Sequence, residues 1–224
     1  MAHDTSVVQR ARAESVLATN SVIKNTYLLL GMSLTFSAVM AGVAMATNAP
    51  SLGLITLAVY FGLLFFIQAF KNSALGILGV FALTGFMGYT LGPMLNAYMH
   101  TFANGYQLIM TALGGTGAIF FGLSAYALTT RKDFSYMAGF LAAGAMVLFL
   151  AIVVQIFFPM PMLQLALSGA FVMFSAGIIL FETSQIIHGG EKNYIMATVS
   201  LFVALYNLFI SLLHLLSAFS GNRD

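Results

Sequence analysis

Three features of the sequence predict an all-α integral membrane protein, a bundle of seven transmembrane helices. The first is composition: 60% of the 224 residues are hydrophobic and 6% are charged, with a mean hydropathy of +0.97. Ordinary soluble domains are about 45–50% apolar and about 25% charged. The second is the placement of the charges, which fall almost wholly between long apolar runs. The third is the length of those runs, each close to the roughly 20 residues that cross a bilayer and far longer than the roughly 9–11 of a barrel strand. Backbone polar groups cannot face lipid unpaired, so runs of this length are helices.

Taken in order, residues 1–24 hold Asp4, Arg10, Arg12, Glu14 and Lys24 among small polar residues. They lack the apolar segment of a cleavable signal and read as a cytosolic tail. Apolar windows then give spans at 25–46, 52–70, 74–98, 106–129, 135–157, 161–187 and 194–218, by the hydropathy criterion for crossings. Between them lie TNAPS, KNS, MHTFANG, RKDF, the Pro159 to Pro161 segment and HGGEKN, each rich in turn formers or charge. Residues 25–218 thus form one transmembrane domain, and 219–224 a short carboxyl-terminal tail. Arg10, Arg12, Lys24, Lys71, Arg131, Lys132 and Lys192 fall on one side of the membrane and Arg223 on the other. This bias puts the amino terminus in the cytosol and, with seven crossings, the carboxyl terminus outside.

Several functions are excluded. With no cysteine there is no disulfide, thiolate metal site or cysteine nucleophile. A net charge of +2 offers little to nucleic acid. GGTGAIFFG lies within a span and lacks the spacing of a phosphate-binding loop. His100, His188 and His214 stand in different segments without metal-ligand spacing, and no nucleophile elbow or kinase signature occurs. No cofactor and no enzyme chemistry are expected. Small residues recur every fourth position in Ala38, Gly42, Ala46; Gly88, Gly92; and Gly114, Ala118, Gly122, ridges that let helices pack closely in lipid.

Glu182 stands well inside the sixth span, about 8 Å from its cytosolic end at about 1.5 Å per residue. A carboxylate at mid-membrane costs about 2.5–3.5 kcal/mol on insertion scales, less at shallow depth, and such residues usually face the bundle interior with a partner. Two readings stand: a snorkelling or capped glutamate, or a proton or ion site. On the seventh span Ser200, Asn207, Ser211 and His214 mark one helical face. Because HGGEKN makes a tight reversal, Glu182 should stand level with residues 199 and 200, beside Ser200 and Ala204. That stripe is read either as interhelical hydrogen bonding or as the lining of a path.

The segments TGFMGYTLGPMLNAY (84–98), SAYALTTRKDFSYM (124–137) and LFETSQIIHGGEKNYIMATVSLFVALYNLFISLL (180–213) resemble the Bax inhibitor-1 family, and its bacterial YccA-type branch most. The likeness covers residues 22 to 217, and the acidic residue followed by Ile-Ile-His-Gly is its most specific part. It implies a seven-helix fold with the last helix central, in the bacterial inner membrane. For the family it implies association with proton-sensitive calcium leak and suppression of cell death, and for the YccA-type branch modulation of the ATP-dependent protease FtsH. Many members carry aspartate at the position of Glu182 and a second aspartate at that of Ala204, a pair thought to share a proton as a pH-sensing latch. Here Ala204 removes one half. The favoured expectation is a membrane partner of FtsH; the alternative is a calcium or proton leak gated around Glu182, Ser200, Ala204, Asn207 and His188, with Ser211 and His214 continuing the path.

Overall fold

The computed structural model describes residues 2–220, with side chains from residue 21 onward. It is all helix among the described residues: α1 (Ala2–Ala46), α2 (Ile55–Phe70), α3 (Ala74–Thr101), α4 (Gly105–Thr130), α5 (Met137–Phe157), α6 (Pro161–His188) and α7 (Tyr194–Ser220). Six of these are long and apolar enough to cross a membrane, α1 through its Ser21–Ala46 portion, while α2 has 16 residues. α1 begins well before residue 25, so most of the segment expected as a tail continues the first helix. Likewise α7 extends to Ser220, and residues 221–224 lie outside the described residues.

Helix ends follow local chemistry. α2 starts three residues later than its apolar run because Gly53, at φ 52, turns the chain. Gly189, at φ 74, closes α6 in the left-handed conformation open to glycine. The backbone N–H of Gly190 then returns to Gln185 O at 2.8 Å. Asn193 opens α7: its Oδ1 accepts from the backbone N–H groups of Ile195 (3.0 Å) and Met196 (3.1 Å), satisfying donors that a helix start leaves free. Its Nδ2 donates to Lys71 O and to Asn72 Oδ1, each at 2.9 Å. One side chain therefore caps α7 and fixes it to the α2–α3 turn.

α7 packs against α1, α3, α4 and α6, while α2 leans on α3 and α5 on α6. Leu201, Leu208 and Leu213 of α7 are fully buried. By contrast Phe140 and Phe157 on α5 are 72% exposed and Met173 on α6 is 79% exposed. Large apolar side chains on the outside suit a lipid surround, whereas water would penalise a patch of this extent.

The small-residue ridges divide into two kinds. Gly88 and Gly92 are pressed onto α1, where a Cβ would meet Ser37 and Ala44. Gly42, Gly114 and Gly122, expected to do the same, have nothing within 4 Å of a Cβ position. Four-residue spacing makes a face flat; it does not determine what covers that face.

Candidate functional site

Glu182 is half-buried on α6, and Ser200 of α7 is its polar neighbour across the HGGEKN reversal. Glu191, in the turn after α6, is the other carboxylate whose field reaches it. Ala204 follows one turn along α7, 1% exposed and in the same buried cluster as Ile179. Two neighbours on α1 also hold this region. Tyr27 Oη lies 3.4 Å from Thr183 Oγ1, and the Thr198 hydroxyl donates to Thr26 O at 3.3 Å. Neither contact leaves a trace in local spacing, because about 156 to 172 residues separate the partners.

The remaining stripe runs away from Glu182. Asn207 is half-buried and Ser211 is 5% exposed. His214 faces a cavity of about 250 Å³ lined also by Tyr98, Gln164, Ser168 and Ser217. Ser168 precedes Glu182 by as many residues as His214 follows Ser200, so the two antiparallel helices keep one register and bring Ser175 level with Asn207. Ser175 is 1% exposed, and its hydroxyl has no hydrogen-bond partner among the described residues. The α6–α7 interface is thus a polar seam with a seven-residue repeat, carrying a carboxyl group near one end and an imidazole near the other.

His188 does not join Glu182. Its ring turns to the loop between α4 and α5: Nε2 lies 3.1 Å from Arg131 O, and Nδ1 lies 2.9 Å from Ser184 O. Ser184, buried and one turn earlier, accepts from the backbone N–H of Phe134 at 2.9 Å and donates to Lys132 O at 3.2 Å. Gln185 Nε2 donates to Ser135 Oγ at 3.2 Å. In the same loop the Ser135 hydroxyl, and then its backbone N–H at 2.8 Å, hold the Asp133 carboxyl below the usual carboxylate range. Three residues of the last two turns of α6 therefore grip residues 131–135. Among the described residues no group of three or more His, Cys, Asp or Glu side chains is placed to hold a metal ion.

Comparison with known proteins identifies the family. The family model described as inhibitor of apoptosis-promoting Bax1 matches residues 19–221. A protein of Pasteurella multocida described as uncharacterized is 53% identical over 204 residues, 91% of this chain and 92% of the relative. The modulator of FtsH protease YccA of Escherichia coli is 51% identical over 203 residues, 90% of this chain and 92% of that one. A Pseudomonas aeruginosa protein, also described as uncharacterized, is 50% identical over 204 residues, 91% of each chain. A match across nearly the whole length, on an all-helical apolar bundle, places the chain in the Bax inhibitor-1 family, as a membrane protein of its YccA-like kind.

Proposed function

We propose that this protein modulates the membrane-bound protease FtsH in membrane-protein quality control, as a binding partner and not as an enzyme. One observation carries the reading: 51% identity, over about nine-tenths of both chains, to the E. coli protein named for that role. The bacterial inner membrane is the corresponding location, since a relative from a second E. coli strain, also 51% identical over 203 residues, is named an inner membrane protein. We read seven crossings, with the amino terminus cytosolic, the carboxyl terminus outside and α7 in the middle. The one-sided distribution of Lys and Arg supports the orientation, and the packing of α7 against four other helices supports its place. Because the chain is free of cysteine, single cysteines at positions 48, 72, 102, 132, 159 and 190 would report side by labelling; two successive loops on one side would overturn the seven-crossing reading.

A processive protease needs an end to pull, and residues 1–24 precede the membrane domain. The test is protein half-life, with and without active FtsH, for the full chain and for a form lacking residues 2–20. Engagement through this end predicts a longer-lived truncated form only where FtsH is active. Equal half-lives in all four conditions would count against it.

The half-buried carboxyl group of Glu182, with Ser200 as its polar neighbour, favours a second reading, a pH-sensitive leak of calcium or protons gated there. Purified protein in liposomes, followed for calcium and proton flux across a pH series, separates the two. Robust gated flux would put the leak first; no flux would leave the protease partner.

A further inference from the structure

We propose that the groove between α1 and α4 holds one acyl chain of a membrane phospholipid as a bound ligand. Both helices pack on α3 and α7 rather than on each other. The gap left between them measures about 440 Å³, within the roughly 300–1,000 Å³ of small-molecule sites. Gly42 on one wall and Gly117 on the other keep it open, since a Cβ at either would meet nothing within 4 Å. Buried Phe202, Leu205 and Phe209 of α7 form the floor.

The polar side chains of the lining are turned to other partners. The Thr116 hydroxyl donates to Ala112 O at 2.7 Å, and Tyr206 Oη lies 3.2 Å from Thr90 Oγ1. Ser37 is 6% exposed and sits against Gly88. The groove therefore presents carbon to whatever enters it.

Its dimensions select the occupant. It runs from Leu34 and Phe121 at the deep end to Met45 and Ile109 at the mouth, where α1 ends and α4 begins. The stretch from Leu34 to Met45 rises about 16 Å, close to half of a hydrocarbon core of about 30 Å. That is the depth of a single leaflet, the outer one in the orientation proposed above. Spread over this length, the volume gives a mean cross-section of about 27 Å². An α-helix, about 10–12 Å across with its side chains, is too wide; one extended hydrocarbon chain is not. The rim residues Leu113 and Phe121 are 49% and 70% exposed, so the groove opens sideways to the place where lipid chains lie.

Lipid tails are as apolar as the lining, so entry brings no hydrophobic gain. The preference comes from contact: a chain in the groove touches protein on both walls and the floor, whereas a chain on a flat helix face touches it on one side, and an empty groove forfeits those dispersion contacts.

The experiment reconstitutes the full chain in liposomes containing a phospholipid with a diazirine in one acyl chain, and maps the photo-adducts by mass spectrometry. Adducts on the groove walls should exceed those on the lipid face of α5 around Met146 and Phe149, which are 70% and 61% exposed, on the order of threefold to tenfold. Gly117→Leu, which fills the groove, should remove that excess. Gly122→Leu, on the same helix but outside the groove, should preserve it. Equal labelling of the two faces, which marks ordinary surrounding lipid only, an excess undiminished in Gly117→Leu, or an equal loss in Gly122→Leu would each overturn the proposal. Should Gly117→Leu fail to insert, Gly42→Leu fills the groove from the opposite wall, and the labelling ratio of the unsubstituted chain decides if neither variant inserts.

Discussion

Replacing Gly88 and Gly122 by alanine adds the same methyl group at two points, yet the two changes should move stability in opposite directions. At 88 the methyl would land on the carbonyl and hydroxyl oxygens of Ser37 in α1. A backbone carbonyl has no rotamer to escape into, so α1 must retreat from α3, and Gly92, seated one turn on against Ala44, would lose its contact too. Overpacking of a tight interface costs about 1–3 kcal/mol, the upper half applying where backbone is the obstacle. Alanine recovers about 1 kcal/mol of helix propensity over glycine, which leaves a net loss of about 1–2 kcal/mol. At 122 no atom lies within 4 Å, and only the propensity gain of about 0.5–1 kcal/mol remains. Reversible unfolding in bicelles by steric trapping measures both. Equal stabilities, or a Gly88→Ala protein more stable than Gly122→Ala, would show that α1 and α3 do not meet along this ridge.

Other predictions test the site and its supports. Glu182→Gln should stay within about 1 kcal/mol of the parent, because the amide keeps a partner for Ser200 without a buried charge, whereas Glu182→Leu should lose about 0.6–1.7 kcal/mol by the same assay. Asn193→Ala should cost about 1 kcal/mol through the lost cap of α7 and expose the α2–α3 turn to proteolysis in inside-out vesicles. Ser135→Ala should bring the Asp133 carboxyl back toward its ordinary range, seen by carbon-13 titration of that side chain. The sign follows from a lowered folded value: the loop contact is present above the unfolded carboxylate range of about 3.9 and fades as pH falls below it. Ala204→Asp places a second acid one turn from Ser200 and, on the leak reading, should produce calcium flux in liposomes that grows with alkalinisation; flux equal to the parent at every pH would discard the two-acid latch for this chain.

The helices were legible because a membrane filters sequence harshly: the expected spans at 74–98 and 161–187 differ from Ala74–Thr101 and Pro161–His188 by three residues or fewer at either end. Turn chemistry shortened α2, since Gly53 bends a chain whose hydropathy alone reads as continuous. The expectation that Glu182 stands beside Ser200 rests on a short reversal, a local constraint. His188 escaped because its partner is a backbone carbonyl of a loop 57 residues earlier, and carbonyls carry no sequence signature. The outward-facing glycines of α1 and α4 illustrate a related point: spacing reports a surface and says nothing of its neighbour.

The brevity of α2 has a consequence for the lipid. Sixteen residues rise about 24 Å, against about 30 Å for an average hydrocarbon core. In the seven-crossing arrangement its neighbour α3, at 28 residues, is long enough to span with tilt to spare. An annulus next to α2 must therefore thin by about 6 Å while lipid around the rest of the bundle keeps its resting thickness, at a cost of fractions of a kcal/mol per Å. On the seven-crossing reading the protein is an elastic inclusion with one soft flank. In bilayers of short-chain lipid the strain disappears, and in thick bilayers it grows, so two such flanks brought side by side would share one dimple and attract through the membrane itself.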